Sequence, residues 1–553
     1  MKKNKLFFIF CLFVSSSILS QPLFDAIKLT TNEQFSKADI AFTSELTAQP
    51  NNGDIYFYYG ENYFKNDNLE MANKFYQKGV ELNATNPLCY VGLGKVQWYQ
   101  GKEAEAKASF FKAVTLAKKY EYSNSPKTLE ITVSLGKNSS VTKAKYVINS
   151  EATVLMKIAE VYINAEVKNI AEAHILLVQS IKLESFNPEA YILTGDAYME
   201  QNDGSKAIEY YEKAEKMDDK SVKAILRQGQ LLNCAKNYNL ALDLYKKASL
   251  IDSSFAPAYR EMAEIYARAG QFNNAVAKYK RYLEINNDCD ARGRYAGFLL
   301  EGKHYTESIV EANEAIKCDV NNVYLYRYLA YAYFEALPPN YILGLESSKT
   351  FFLKASEDTK VIPKDYEYQA KLLSKNGKDS MALICFLKAM QLQPEKVELN
   401  GEIAVTYMKM KKWAEAISFF DKKIAGNKAN INDYFGLTRA YYFSKDFVKS
   451  DSATSQMIRL QPDLALGYLW KAKVSVQQDL KNERWLAKPF YEMYVNKAKP
   501  EENKKELIEA YNYLAAYYAE KKDCPNVKIY MQKVIDLDAS NVQAKKVISE
   551  LKC

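Results

Sequence analysis

The chain has 553 residues, with an ordinary apolar share of 48%. Lys+Arg 75 against Asp+Glu 67 gives a formal net charge of +8, and the charges are interspersed, which argues for solvated helix faces and against a nucleic-acid patch. Tyr is frequent at 43 residues while Gly and Pro are scarce at 20 and 14, a balance that favours helices with aromatic packing and short turns.

The N-terminus opens with Lys2, Lys3 and Lys5, followed by an apolar run from Leu6 to Leu19 and then Ser20–Gln21. This is the layout of a secretory signal peptide, so residues 1–20 are expected to be removed between Ser20 and Gln21. The run is short beside the ~20 residues of a spanning helix. Cys11 follows Ile9 and Phe10 rather than small residues, so no lipid anchor is expected. No second apolar run of spanning length occurs.

Residues 21–52 read as a partial helical unit, with Phe35, Ala38 and Phe42 on its second helix. Residues 53–120 hold two full units, the first marked by Tyr56, Tyr59, Gly60, Tyr63, Ala72, Tyr76 and Gly79. Residues 121–150 break the pattern. There, 130–135 and 141–147 either pair as a short β-hairpin or form a disordered loop. The register returns and runs through 151–541, with enlarged turns near 337–342 and 477–483. Adjacent Pro338 and Pro339 place the first of these turns outside any helix. Residues 542–553 read as a closing helix that keeps the last interface out of water.

The clearest repeat is 188–255. Tyr191, Thr194, Gly195, Tyr198, Ala207, Tyr211 and Ala214 recur 34 residues later as Ile225, Gln228, Gly229, Leu232, Ala241, Tyr245 and Ala248. Steps of three and four residues put the first four on one face of one helix and the last three on one face of a second. Small residues let the two backbones approach, and large ones fill the space around them.

A 34-residue helix–turn–helix repeat of this kind resembles the tetratricopeptide repeat. The resemblance covers about 22–552 and implies an all-α fold, a right-handed α-α superhelix of stacked helical hairpins. In that family, first-helix positions 5, 9 and 12 line a concave groove. Carried over, the groove residues expected to bind a partner include Phe57, Phe64, Trp98, Tyr331, Phe334, Phe435, Arg439 and Tyr442. Aromatic residues and Arg dominate binding hot spots. The alternative is that some of them are core between neighbouring helices. The Lys and Asn pair with which some family members clamp a chaperone's terminal carboxylate is missing.

Outside the signal, seven widely spaced cysteines do not form a disulfide framework. Cys289 and Cys318 lie at turns one repeat apart, where a bridge can form, and Cys524 with Cys553 is a weaker second pair. The two histidines, His174 and His304, have no nucleophile beside them, and neither HExxH, GxSxG nor GxxxxGK[ST] occurs. No CxxC pair suggests a structural zinc site. The expectation is therefore a non-catalytic protein-binding scaffold without cofactor, metal or nucleic acid. It would be exported and periplasmic or outer-membrane-associated, with peripheral membrane association open, and would serve bacterial envelope assembly or secretion. The alternatives are a glycan- or other ligand-binding envelope protein and the accessory subunit of an enzyme complex.

Overall fold

The computed structural model describes residues 21–119, 129–133, 142–146, 149–286, 289–356 and 359–551. The expected signal segment, residues 1–20, lies outside them. Two compact units divide the chain, one ending at Val320 and the other beginning at Asn321.

In the first unit, α1 (Gln21–Thr31) and α2 (Phe35–Ala48) form the opening hairpin. The pairs α3 (Gly53–Lys65)/α4 (Leu69–Leu82) and α5 (Pro87–Tyr99)/α6 (Glu103–Ala117) follow. Strands β1 (Leu129–Val133) and β2 (Thr142–Tyr146) come next. Then come α7 (Ser150–Asn164)/α8 (Ile170–Leu183), α9 (Pro188–Glu200)/α10 (Gly204–Met217) and α11 (Val222–Cys234)/α12 (Tyr238–Ile251). The pairs α13 (Ala256–Arg268)/α14 (Phe272–Asn286) and α15 (Cys289–Glu301)/α16 (Tyr305–Cys318) complete it.

The second unit begins with α17 (Val323–Glu335)/α18 (Tyr341–Lys354), α19 (Pro363–Lys375)/α20 (Asp379–Leu392) and α21 (Leu399–Lys409)/α22 (Trp413–Ala425). It continues with α23 (Ile431–Phe443)/α24 (Phe447–Leu460), α25 (Ala465–Gln478)/α26 (Lys488–Lys497) and α27 (Lys504–Glu520)/α28 (Cys524–Leu537). The terminal helix is α29 (Val542–Glu550).

Most of the hairpins share one construction. An Asn, Asp or Ser caps many of the helices: Asn187 accepts from the Glu189 N–H, Asp203 from Lys206 and Ser221 from Ala224. Such caps occupy backbone N–H groups that the helix itself leaves unpaired. The tight turn inside a hairpin uses one left-handed residue, Asn202 (φ 59°) in one repeat and Lys236 (φ 61°) in the next. The helices then close on the aromatic residue of the second helix. A Cβ on Gly195 would lie 2.4 Å from the Tyr211 ring, and one on Gly229 2.4 Å from Tyr245. Tyr76, Tyr211, Tyr245, Tyr279, Phe386 and Phe420 are all fully buried in this role.

The departures from the repeat are built as well. β1 and β2 pair antiparallel from Leu129↔Tyr146 to Val133↔Thr142, so the insertion holds a β-hairpin; its turn, 134–141, lies outside the described residues. The turn between α17 and α18 contains a cis Leu337–Pro338 bond, and Asn340 caps α18. In the turn after α25, the Asp479 carboxylate accepts from the backbone N–H groups of Glu483, Arg484 and Leu486. Ala544 of α29 is buried, and Val547 and Ile548 pack against the cluster that holds Val534 and Leu514. No helix among the described residues is long and apolar enough to cross a membrane.

Candidate functional site

The predicted groove residues separate into two groups. Phe57, Trp98 and Tyr331 are core, at 0%, 6% and 4% exposure. Phe57 lies 5.9 Å from the Tyr76 ring. Trp98 donates 2.8 Å to the Val167 carbonyl and packs edge-on against Tyr162. Tyr331 donates 2.8 Å to Asp365 and stacks 4.0 Å from Tyr368. In each case a ring wide enough to span the groove wall is covered by the neighbouring helices, as the core alternative anticipates.

Phe64, Phe334, Phe435, Arg439 and Tyr442 stay half-buried. The Lys95 ammonium sits 4.4 Å over the Phe64 ring, and Phe334 meets Tyr368 edge-on. In the second unit, three of the predicted residues converge with one more. Trp470 of α25 meets Phe435 at 5.8 Å and Tyr442 at 5.5 Å, both edge-on, and the Arg439 guanidinium lies 5.5 Å over Phe435. Arg439 has no carboxylate partner among the described residues. The result is an aromatic wall with a free cation beside it. Trp470 stands one place past position 5 of its unit, outside the 5-9-12 rule but on the same helix face.

The first unit holds a second feature. The α1–α2 turn reaches the turn between α12 and α13. Asn32 donates to Asp252 at 3.1 Å and to Ser254 at 3.0 Å, across 220 positions in the first case. Lys28 pairs with Asp252 at 3.0 Å. Arg260 holds both Glu33 oxygens, at 2.6 and 2.7 Å, and Tyr282 donates to Glu33 at 3.0 Å. Hydrogen bonds from Ser254, Lys28 and Asn32 outweigh burial and bring the Asp252 carboxyl down to about 2. This latch borders a half-open cavity of about 550 Å³.

The cavity lining mixes apolar groups, Phe24, Ile27, Met156, Leu226 and Phe255, with a dense set of charges. The charges are mostly paired. Glu61 takes Lys95 at 2.6 and 2.7 Å and the Tyr76 hydroxyl at 2.6 Å. Burial would raise the Glu61 pKa, but Lys95 and Lys157 outweigh it and hold it below the carboxylate range. Lys157 donates 2.7 Å to Glu160, Lys223 to Glu189, and Arg227 pairs with Asp196 at 3.0 Å.

Two groups on the lining are left over. Lys65, in the last turn of α3, is exposed to solvent and has no ion pair or hydrogen bond among the described residues. Glu184 is buried, and its Oε1 has no hydrogen-bond partner. Burial raises its pKa against hydrogen bonds from Asn187 and from the Asn149 backbone. The 5-9-12 rule missed most of these residues. Glu189 and Lys223 stand at unit position 2, and Lys157 and Arg227 at position 6, which share the inner face with positions 5 and 9; charge recurring there was the available signal.

Cys318 and Cys524 are each disulfide-bonded. The Cys289 side chain and Cys553 lie outside what is described, so the expected pairings stay expectations. Among the described residues no cluster of His, Cys, Asp or Glu is placed to hold a metal ion.

The tetratricopeptide repeat family model matches residues 169–222 and 192–257. No curated protein matches the chain in sequence. Among solved structures, the C-terminal part of a TPR repeat-containing protein from Cytophaga hutchinsonii is 31% identical, covering 46% of this chain and 98% of that one, with a TM-score of 0.42. A tetratricopeptide repeat protein from Parabacteroides merdae is 18% identical over 46% of this chain and 98% of that one, TM-score 0.30. A structure of Naa15/Naa10 bound to HypK-THB matches over 96% of both chains at 12% identity, TM-score 0.33. The identity to the Cytophaga protein over nearly its whole length agrees with the repeat register and the hairpin packing: the chain belongs to the tetratricopeptide repeat family.

Proposed function

We propose that the protein is an exported, non-catalytic scaffold of the bacterial cell envelope that holds an extended segment of a partner protein against its second unit. The observation that supports this most is the cluster of Phe435, Arg439, Tyr442 and Trp470. Half-buried rings offer large contact area at little conformational cost, and a guanidinium without a carboxylate of its own invites one from a ligand. The cluster suits a segment that places an acidic side chain beside an apolar one. Export rests on the basic start and apolar run of residues 1–20.

Affinity capture from the organism's own envelope tests the reading. The purified chain should retain a defined partner that Phe435→Glu and Tyr442→Glu each lose, with helical circular dichroism unchanged. Arg439→Ala should weaken capture by about tenfold, the scale of a lost charge-assisted hydrogen bond. An identical captured set for all variants overturns this groove as the binding surface.

A further inference from the structure

The aromatic cluster of the second unit is one end of a longer ridge. Beyond Tyr442 the rings continue: Phe443 meets Tyr442 edge-on at 5.6 Å, and Trp413 of α22 stacks on Phe443 at 5.2 Å. Five rings thus run in unbroken contact from Phe435 through Trp470, Tyr442 and Phe443 to Trp413. Four of them are half-buried and Phe443 is 45% exposed, so the ridge is packed at its base and open to solvent. Successive centroids lie 5.2 to 5.8 Å apart, and the whole ridge spans at most about 22 Å. The junctions at Trp470 and between Tyr442 and Phe443 are edge-on, at 73°, 90° and 89°, and each leaves a corner between the face of one ring and the edge of the next. The polar groups along it are donors. The indole N–H groups of Trp413 and Trp470 and the Arg439 guanidinium donate and cannot accept, and only the Tyr442 hydroxyl can do both. None of the four has a hydrogen bond or ion pair among the described residues, and none of these donor atoms is sealed from water.

We propose that the ridge binds a proline-rich segment in the polyproline II conformation, with an acidic residue at the end that lies on Arg439. This rests on the second-unit cluster being the binding surface, and it names the segment that surface selects. A row of donors with almost no acceptor decides between backbone forms. An ordinary extended chain brings an N–H group with nearly every residue and would lay some of them on rings that cannot receive them, at a desolvation cost. A helical ligand spends its carbonyls on its own N–H groups and leaves the donors of the ridge unused. A sugar carries a hydroxyl donor with nearly every acceptor and finds one hydroxyl here to receive it. Proline has a carbonyl and no N–H, and the polyproline II helix makes no internal hydrogen bonds, so its carbonyls stay available to the two indoles and the Tyr442 hydroxyl. Its flat saturated rings fit the corners between aromatic faces and edges, the usual setting for such segments. At 3.1 Å per residue, the ridge holds roughly seven residues.

The probes are two fluorescent peptides of six prolines and one aspartate, placed first in one and last in the other, with blocked termini. The controls carry asparagine for aspartate or alanine for every proline, and a neutral hexasaccharide serves as competitor. Binding to the purified chain is read by fluorescence anisotropy. At least one proline peptide should bind, and its alanine counterpart should bind about tenfold more weakly or worse. Trp470→Phe keeps a ring and removes the N–H, and Tyr442→Phe removes only the hydroxyl; each should weaken the proline peptide by about fivefold. Arg439→Ala should abolish the preference for aspartate over asparagine. Circular dichroism checks that each variant is folded, and Tyr442→Phe carries the test if Trp470→Phe is not. Equal binding of the proline and alanine peptides overturns the proposal, as does binding that neither ring variant weakens, displacement by the hexasaccharide at a lower concentration than by unlabelled proline peptide, or no binding of either proline peptide at millimolar concentration. The wider reading is judged by envelope capture. If Phe435→Glu and Tyr442→Glu still lose the captured partner, the groove stands and only its proline-rich ligand falls; if capture is unchanged, both fall.

Discussion

Tyr211 and Tyr245 occupy the same place in adjacent repeats, and their hydroxyls meet different fates. Tyr211 donates 2.8 Å to Asp196, which also holds Arg227 from the next repeat. Tyr76 does the equivalent with Glu61 and Lys95. At the matching site opposite Tyr245 the chain has Gln230, whose amide turns to Glu261 instead, and the Tyr245 hydroxyl is left buried without a partner. An orphaned buried hydroxyl is a cost, while one bonded to a carboxylate is a gain. Tyr245→Phe should therefore be neutral or stabilise by up to about 1 kcal/mol, while Tyr211→Phe should cost about 1–3 kcal/mol. Urea unfolding of the two variants checks this, and equal destabilisation would refute it. The sequence shows that both positions are aromatic. Which hydroxyl finds a partner depends on a side chain 15 positions earlier, and the acid-for-amide exchange at Gln230 was legible only once that contact was known.

At the scale of elements, the helices and hairpin partners follow from spacing, because each helix buries its own periodic stripe against a sequence neighbour. The β-hairpin was half legible, since Leu129–Val133 and Thr142–Tyr146 alternate too briefly to exclude a loop. The latch was not legible at all. Glu33, Asn32 and Gln34 look like ordinary turn residues, and nothing local announces a contact 220 positions away. Only the curvature of the stacked repeats brings Asp252 and Arg260 to them. Electrostatics then makes the latch sensitive to acid. The folded Asp252 carboxyl is depressed to about 2 from an ordinary 3.8, so its contribution is complete above the unfolded value and is lost as pH falls from there towards about 2. Asp252→Asn should reproduce that loss at neutral pH. Hydrogen exchange across residues 21–34 should then quicken while α3 to α14 keep their protection. Unchanged protection in the variant would show that other contacts hold the hairpin.

For the molecule as a whole, a tetratricopeptide array is expected to behave as a chain of nearest-neighbour interfaces, each repeat stabilised only by those beside it. The regular recurrence from 151 to 541 predicts one such array, yet the chain divides at Val320 into two compact units. The sequence hint was there: around the division the repeat of Tyr295, Ala296 and Leu299 is degenerate, with Ala312 where its neighbour has Tyr279. The first unit adds a term that the nearest-neighbour description lacks, since the latch closes it from its first hairpin to its α12–α13 turn. A closed stack must open everywhere at once, whereas an open one frays from its ends. Residues 21–320 and 321–553, produced separately, should therefore both fold. The first should unfold in one steep urea transition, and the second over a broader range. Removing residues 21–48 from the first should broaden its transition to resemble the second, because the remaining repeats then have neighbours only in sequence. A sharp transition that survives this truncation would show that closure contributes nothing to cooperativity, and a second fragment without helical signal would show that the two units do not fold independently.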